Sequence, residues 1–322
     1  MNQNQKILSL FAATLLLSAC SGSGSSTAVQ GPATISGQVQ QGNIEKAQVF
    51  LDMNGNGVLD AGEPAAAALT DANGKFTLSL TAEQVTAMKA AGAKAKIVSV
   101  GGTDTTTTLE VGLLASDVPA VTGDSATKNI TAMTTLTAMT PDAKKGELKT
   151  VLGTLGLKDD SGSANDDKLI ENATPAVIAL CKSVESALLN VKKSTTVAAD
   201  SVAVTQAAAA EIGKALAGKT AAELTDTQKL ADTLSTAAGV AMKAELGLTD
   251  AQVAPMVTSI KTGCKGVADA VKSHTGGTLA TDTHKAGETE SEIMHAAETE
   301  IHGIVETANT EVETNAVSGK TK

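Results

Sequence analysis

The sequence predicts an α+β protein of more than one domain: a small N-terminal β-sandwich with a calcium loop, then an Ala-rich, all-α helical bundle. Three observations predict it. Up to about residue 116, β-prone runs alternate apolar and polar residues between Gly, Asn and Asp turns. From about residue 128, strand alternation stops and apolar residues fall three or four apart. Between the second strand and Pro64, Asp, Asn, Gly and Glu recur at the spacing of a cation-binding loop.

Residues 1–19 read as a lipoprotein signal peptide. Lys6 supplies positive charge, and the apolar stretch from Ile7 to Leu17 is too short to span a bilayer comfortably. It ends in Leu17-Ser18-Ala19-Cys20, which looks like a bacterial lipobox. That resemblance implies cleavage before Cys20 and lipid on its sulfur and new amino group. Each buried methylene contributes about 0.8 kcal/mol, so several acyl chains anchor stably. In a cell with two membranes it implies the outer one. Residues 20–32 are the lipidated Cys and a Ser/Gly tether that behaves as random coil.

Residues 33–116 are expected to form the sandwich. Thr34 to Val39 alternates, and Gln48 to Leu51 is the second strand. Ala67 to Thr70 reads as a short third strand. Asp71-Ala-Asn73-Gly74 is a hairpin signal, and Lys75 to Leu80 alternates out of it with Phe76, Leu78 and Leu80 on one face. Phe50 and Phe76, the aromatics that follow the signal segment, are both expected in the sandwich core. Thr81-Ala-Glu-Gln84 is a capping-box pattern opening a short helix to Ala91. Lys96 to Val100 and Thr107 to Val111 are the last strands, and 117–128 is a linker.

The cation loop runs from Asp52 to Glu63. Asp52, Asn54 and Asn56 occupy positions 1, 3 and 5 of a 12-residue calcium loop, where side-chain oxygens converge. Gly57 permits the sharp turn, Val58 offers a backbone carbonyl, Asp60 binds directly or through water, and Glu63 supplies two oxygens. The competing reading is a metal-free surface turn, because the same residue types favour turns. A strand precedes the loop and Pro64 follows it, so it hangs from a sheet rather than between two helices.

Three segments together carry a resemblance: Ile35-Ser-Gly-Gln-Val39, Ala47-Gln-Val-Phe-Leu-Asp52 with its loop, and Thr70-Asp-Ala-Asn-Gly-Lys-Phe76. They are similar to SdrD B-like and carboxypeptidase-regulatory-like domains, small transthyretin-like modules of bacterial surface proteins. The resemblance implies a Greek-key sandwich, a stalk or accessory role without catalysis, and Ca²⁺ as a stiffener held by Asp52, Asn54, Asn56, Val58, Asp60 and Glu63.

Residues 129–280 form the helical domain. Met133, Leu136 and Met139 share a helical face, and Thr140-Pro141 reads as the N-cap and first position of a helix over 142–156. Residues 159–167, with Asp159, Asp160, Asp166 and Asp167, read as a solvated break. Thr174-Pro175 opens a helix carrying Val177, Ile178, Cys181, Val184, Leu188 and Val191. Further helices are expected over 199–217, 226–246 and 250–273, the last opened by the capping box Thr249–Gln252. With Cys20 lipidated, Cys181 and Cys264 remain in an oxidising compartment, and a disulfide between them is expected against the alternative of two buried thiols. Residues 281–322 hold an amphipathic helix over 283–315 and a frayed tail; Ile293, Ala297, Ile301, Ile304, Ala308 and Val312 form its apolar stripe. His284, His295 and His302 line up with Glu288, Glu292, Glu298 and Glu306. A transition-metal site using Glu292 and His295 is weighed against a solvated charged face, and the face is preferred for its i,i+3/i+4 pairing.

Net charge is −10 and aromatics are 1%, which argues against nucleic acid and against electrostatic docking on anionic lipid. No nucleophile elbow, phosphate loop or zinc spacing occurs. The expectation is therefore a non-enzymatic envelope lipoprotein on the periplasmic or surface face, joined to the membrane through its N-terminal lipid. Its partner would be another envelope protein or a matrix polymer; the rival expectation is a carrier of a small molecule or glycan.

Overall fold

The computed structural model describes residues 31–40, 42–105, 107–157, 173–279, 281 and 290–320. The signal peptide, Cys20, nearly all of the tether, the Asp159–Asp167 break and His284 lie outside the described residues. Sheets occupy the N-terminal part and helices follow, an α+β arrangement.

Strand β1 (Ala33–Gln40) pairs antiparallel with β4 (Lys75–Leu80), setting Ile35 opposite Leu78. On its other side β1 pairs in parallel with β8 (Ser125–Thr127) and then β9 (Ile130–Thr131). A second sheet runs β3 (Gln48–Asp52), β5 (Lys96–Val100), β7 (Leu113–Asp117), all antiparallel. A short pair joins β2 (Ile44–Glu45) to β6 (Thr103–Asp104). Ile35, Val39, Phe76 and Leu78 of the first sheet share a core with Val49, Leu51, Ile97 and Leu114 of the second. Helix α1 (Ala82–Ala91), opened by the expected Thr81–Gln84 capping box, adds Val85 and Met88 to that core.

The second sheet is buried on both faces. Val49 and Leu51 point to the first sheet; Phe50, one residue off, points the other way. There Phe50, Val98, Leu113 and Ala115 meet Ala138 of α2 (Ala132–Met139) and Val202 of α5 (Ala198–Ala217). The expectation that both phenylalanines share the sandwich core is thus corrected: Phe76 does, and Phe50 packs on the helices. Helix α2 also covers the open edge of β7. Thr135 Oγ1 accepts from Ala115 N at 2.9 Å, and Thr134 Oγ1 donates to Ala115 O at 2.9 Å. These hydroxyls satisfy backbone groups that an edge strand would otherwise leave bare.

Three strand boundaries differ from expectation. Ala67–Thr70 is not a strand; Thr70 instead holds the chain by accepting from Ala47 N at 2.8 Å and donating to Ile44 O at 2.6 Å. Thr107–Val111 is turn and loop, and the strand falls at β7. That run lacks alternation because both its faces are buried. Within the expected linker 117–128, residues 125–127 form β8, too short and polar to show a period.

Helix α3 (Asp142–Thr154) has Pro141 as N-cap, so Thr140 closes α2 rather than opening α3. Helix α4 (Pro175–Lys192) is capped by Thr174 with Pro175 in the first turn, as expected, and is buried on nearly every side. It packs on α5, α7 (Thr227–Leu246), α8 (Asp250–His274) and α9 (Glu290–Lys320). A short α6 (Ala221–Leu224) was not foreseen; its Thr220–Glu223 capping box was the signal. Helix α9 buries Ala297, Ile301, Ala308 and Val312 as the stripe predicts, adds Val305, and continues past 315.

Close helix approach rests on small residues. A Cβ built on Gly213 of α5 would lie 1.8 Å from Thr140 Oγ1, a hydroxyl that donates to Leu136 O at 2.7 Å. Gly213→Ala gains roughly 1 kcal/mol in helix propensity, but overpacking costs about 1–3 kcal/mol. Thr140 is buried and already bonded, so the upper end applies. A net loss of about 1–2 kcal/mol is expected as a lower urea midpoint with unchanged slope.

Candidate functional site

The oxygen-lined loop leaves β3 at Asp52 and returns beside it. Leu51 N donates to Pro64 O at 2.8 Å and Ala66 N to Val49 O at 2.8 Å, so the loop hangs from a strand as expected. Asp52 is fully buried at its base. Its Oδ1 accepts from Asn54 N at 3.1 Å and Gly55 N at 2.6 Å, and its Oδ2 from Gly57 N at 2.7 Å. Asn54 Oδ1 and Asn56 Oδ1 each accept from the backbone N–H two residues on, Asn56 N at 2.9 Å and Val58 N at 2.8 Å. Their Nδ2 groups both donate to Asp60 Oδ2, at 2.7 and 2.8 Å. Glu63 straps the two ends: Oε1 accepts from Met53 N at 2.6 Å and Oε2 from Asp60 N at 3.0 Å.

Asn54, Asn56 and Asp60 are thus joined through their side chains, while Asp52 and Glu63 hold backbone N–H groups of the same loop. The donor set is all oxygen, which suits a hard cation such as Ca²⁺. Gly55 and Gly57 take φ of 83° and 74°, the left-handed turns that wind the loop. Among the described residues no three His, Cys, Asp or Glu side chains are gathered at metal-holding distance. The two asparagines stand between Asp52 and Asp60, so half of the proposed ligands are amide or carbonyl oxygens.

The loop also touches the helices. A Cβ on Gly57 would meet Gln206 Nε2 at 2.5 Å, Leu113 Cδ1 at 2.8 Å and Val202 Cγ1 at 2.8 Å. Gln206 Nε2 lies 3.5 Å from Gly55 O. Residues 55–57 are thus wedged against α5.

A second polar site was missed by sequence reasoning. Lys182 of α4 and Asp104 of β6 are buried where sheet meets helices, and Glu185 of α4 beside them is mostly covered. Lys182 Nζ lies 3.0 Å from Glu185 Oε2 and 3.5 Å from Asp104 Oδ2. Thr107 Oγ1 donates to Asp104 Oδ2 at 2.9 Å, and His302 Nδ1 of α9 lies 2.7 Å from Thr107 O. A carbonyl only accepts, so that ring nitrogen carries the proton. The group borders a cavity of about 40 Å³, room for ordered water. The signal was available: Lys182 and Glu185 sit three apart, flanked by apolar residues, in the middle of a helix whose long apolar runs mark it as buried.

Burial pushes the Glu185 carboxyl up to about 8; the Asp104 carboxylate adds to this, and Lys182 opposes it. For Lys182, burial favours the neutral amine, but the carboxylates of Glu185 and Asp104 outweigh it and raise its pKa.

The remaining expectations fall as follows. Cys181 and Cys264 are both buried and not disulfide-bonded, which corrects the expected bridge. Cys264 Sγ donates to Ser183 O at 3.3 Å, and Ser183 Oγ donates to Cys264 O at 3.2 Å, so α8 meets α4 at position 183. Cys181, two residues back, lies roughly 200° around the helix, and its Sγ donates to Glu185 Oε1 at 3.5 Å. The two thiols point apart. Burial pushes the Cys264 thiol up to about 12. Of the histidine stripe, His302 serves the buried network; the side chains of Glu292, His295 and Glu298 lie outside the described residues. Comparison with protein-family models, curated proteins and solved structures gives no match.

Two outcomes follow from this geometry. Denatured without reductant, the chain should take up one alkyl label at each of Cys181 and Cys264 by mass spectrometry, with Cys264 labelling slowly in the native state. Glu185, with a folded pKa near 8 against about 4.3 unfolded, binds its proton more tightly when folded. Its contribution is complete below the unfolded pKa and is lost as pH rises through about 8. Denaturation between pH 5 and 9 should show wild-type stability falling relative to Glu185→Gln as pH rises.

Proposed function

We propose that this is a non-enzymatic cell-envelope lipoprotein whose calcium-stiffened module holds a helical domain in a fixed pose at the membrane, for a structural, adhesive or partner-scaffolding task. The observation that carries the reading is the loop of residues 52–63: its oxygen-bearing side chains hold its own backbone in a turn on the end of β3, with Asn54 and Asn56 bonded to Asp60, while Gly55 and Gly57 press on α5. A cation held there by Asp52, Asn54, Asn56, Val58, Asp60 and Glu63 would neutralise three carboxylates and stiffen the contact between sheet and helices.

The rest of the reading draws on the sequence. The lipobox at Cys20 and the Ser/Gly tether support lipid anchoring in the outer membrane. The resemblance to SdrD B-like and carboxypeptidase-regulatory-like modules supports a transthyretin-like, Greek-key sandwich with an accessory role. The Ala-rich bundle would then present a surface to another envelope protein or a matrix polymer.

Calcium affinity should lie in the range of extracellular modules, roughly 10⁻⁴ to 10⁻³ M. Scanning calorimetry in millimolar CaCl₂ against EDTA should show a higher melting temperature with calcium, and Glu63→Ala should abolish the difference. Equal melting temperatures for the wild type would reject the calcium role. Crosslinking on intact envelopes with the anchored chain as bait should recover a stoichiometric protein or polymer partner.

A further inference from the structure

An open groove of about 800 Å³ lies where Val100 at the end of β5, the α4–α5 connection and the last turns of α9 come together. Its apolar wall is Val100, Val197, Ala198, Val202, Ala316 and Val317. Val100, Val197 and Val317 are 37%, 48% and 60% exposed. A cluster of water-facing valines in one concavity marks a binding surface more than an isolated exposed side chain does. The volume is that of a small-molecule site, for which roughly 300–1,000 Å³ is usual.

The charged groups sit on one side. Lys193 is committed to Glu313 at 3.1 Å. Lys192 pairs with Glu110 at 3.8 Å, and the Glu110 side chain is 73% exposed. Burial lowers the Lys192 pKa, and the neighbouring Lys193 lowers it further, against a raising effect of Glu110. An anion brought to Lys192 would relieve both costs. The first turn of α5 opens on the same groove. Its N-cap is Val197, which has no side-chain oxygen, so the leading N–H groups lack a side-chain cap. Those N–H groups carry partial positive charge, which Asp200 in the same turn offsets in part.

We propose that this groove binds a single-chain amphiphilic monoanion, a fatty carboxylate, with its tail along Val100, Val197, Val202 and Val317 and its headgroup between Lys192 and the N-terminus of α5. A neutral apolar ligand would leave Lys192 as poorly matched as before. A cationic amphiphile would meet like charge. The groove shares Val202 with the contact that Gly57 makes on α5 but includes none of the loop's oxygen-bearing residues, and occupancy does not require calcium.

The test uses the full chain carrying Cys20→Ser, so that no attached lipid competes, titrated with 11-(dansylamino)undecanoic acid below its micellar concentration. One saturable site per chain is expected. Laurate should displace the probe and dodecyltrimethylammonium should not. Lys192→Gln should weaken binding roughly tenfold, the size of one charge-assisted contact. Val197→Asp, at an exposed position, should abolish binding with the circular dichroism spectrum unchanged. Absence of saturable binding, equal displacement by the cationic detergent, or wild-type affinity in both variants would overturn the assignment. So would a dimer in sedimentation that closes the groove and is lost in Val197→Asp.

Discussion

Burial of the middle sheet on both faces is the constraint on which the rest of the molecule depends. Strands β3, β5 and β7 have the first sheet on one side and helices on the other, so neither neighbour can shift without exposing apolar surface. Phe50 is the clearest case. It fills the helix-facing side while Val49 and Leu51, one residue either way, fill the inter-sheet core. Fully burying a side chain of that size contributes about 1.5–3 kcal/mol, and a one-residue slip of β3 would forfeit all three placements at once. The threonines of α2 close the same layer at its edge, replacing a missing strand with hydroxyls aimed at Ala115.

Both polar sites lie where this layer meets the helices. The oxygen-lined loop is the continuation of β3, so its aim is set by a strand that cannot slide. Lys182, Asp104 and Glu185 occupy another part of the same seam. Such a cluster is a weak source of stability, because desolvating the charges offsets most of their attraction. Its effect is on specificity: an arrangement of sheet against helix that separated Lys182 from Asp104 would strand a charge in apolar surroundings.

The fold was legible in the sequence where one face of an element is wet. β1, β4, α1, α8 and the stripe of α9 all carry a clean period or a capping signal, and the structure places them where those signals point. α4, buried on nearly every side, was marked instead by its Thr174-Pro175 start. β7 was illegible because both its faces are buried: it reads Leu-Leu-Ala-Ser-Asp with no alternation. β8 was missed because it is three small, largely exposed residues held by pairing with β1. The loop's oxygen-bearing residues could be picked out because they lie close together in sequence. Asp104 and Lys182 could not be paired in advance, since the turn at 104–109 and α4 become neighbours only through packing. The cysteines misled for a related reason: even number and compartment say nothing of which way a helix is turned, and the contact at Ser183 decides it.

The contact of Gly57 with α5 gives the loop leverage beyond its own residues. Any side chain at position 57 would have to displace Gln206, Val202 or Leu113, so the loop and the start of α5 must take up their positions together. A cation that binds only the ordered loop would stabilise that joint arrangement. At free calcium some tenfold above a weak extracellular Kd, the gain is about 1–2 kcal/mol. Against a total stability of roughly 5–15 kcal/mol for a domain, that is too small to act as an on–off switch for folding. It is large enough to shift by about tenfold the ratio of docked to undocked states of one seam. The loop is therefore better suited to fixing the pose of the helices on the sheets than to deciding whether either part folds.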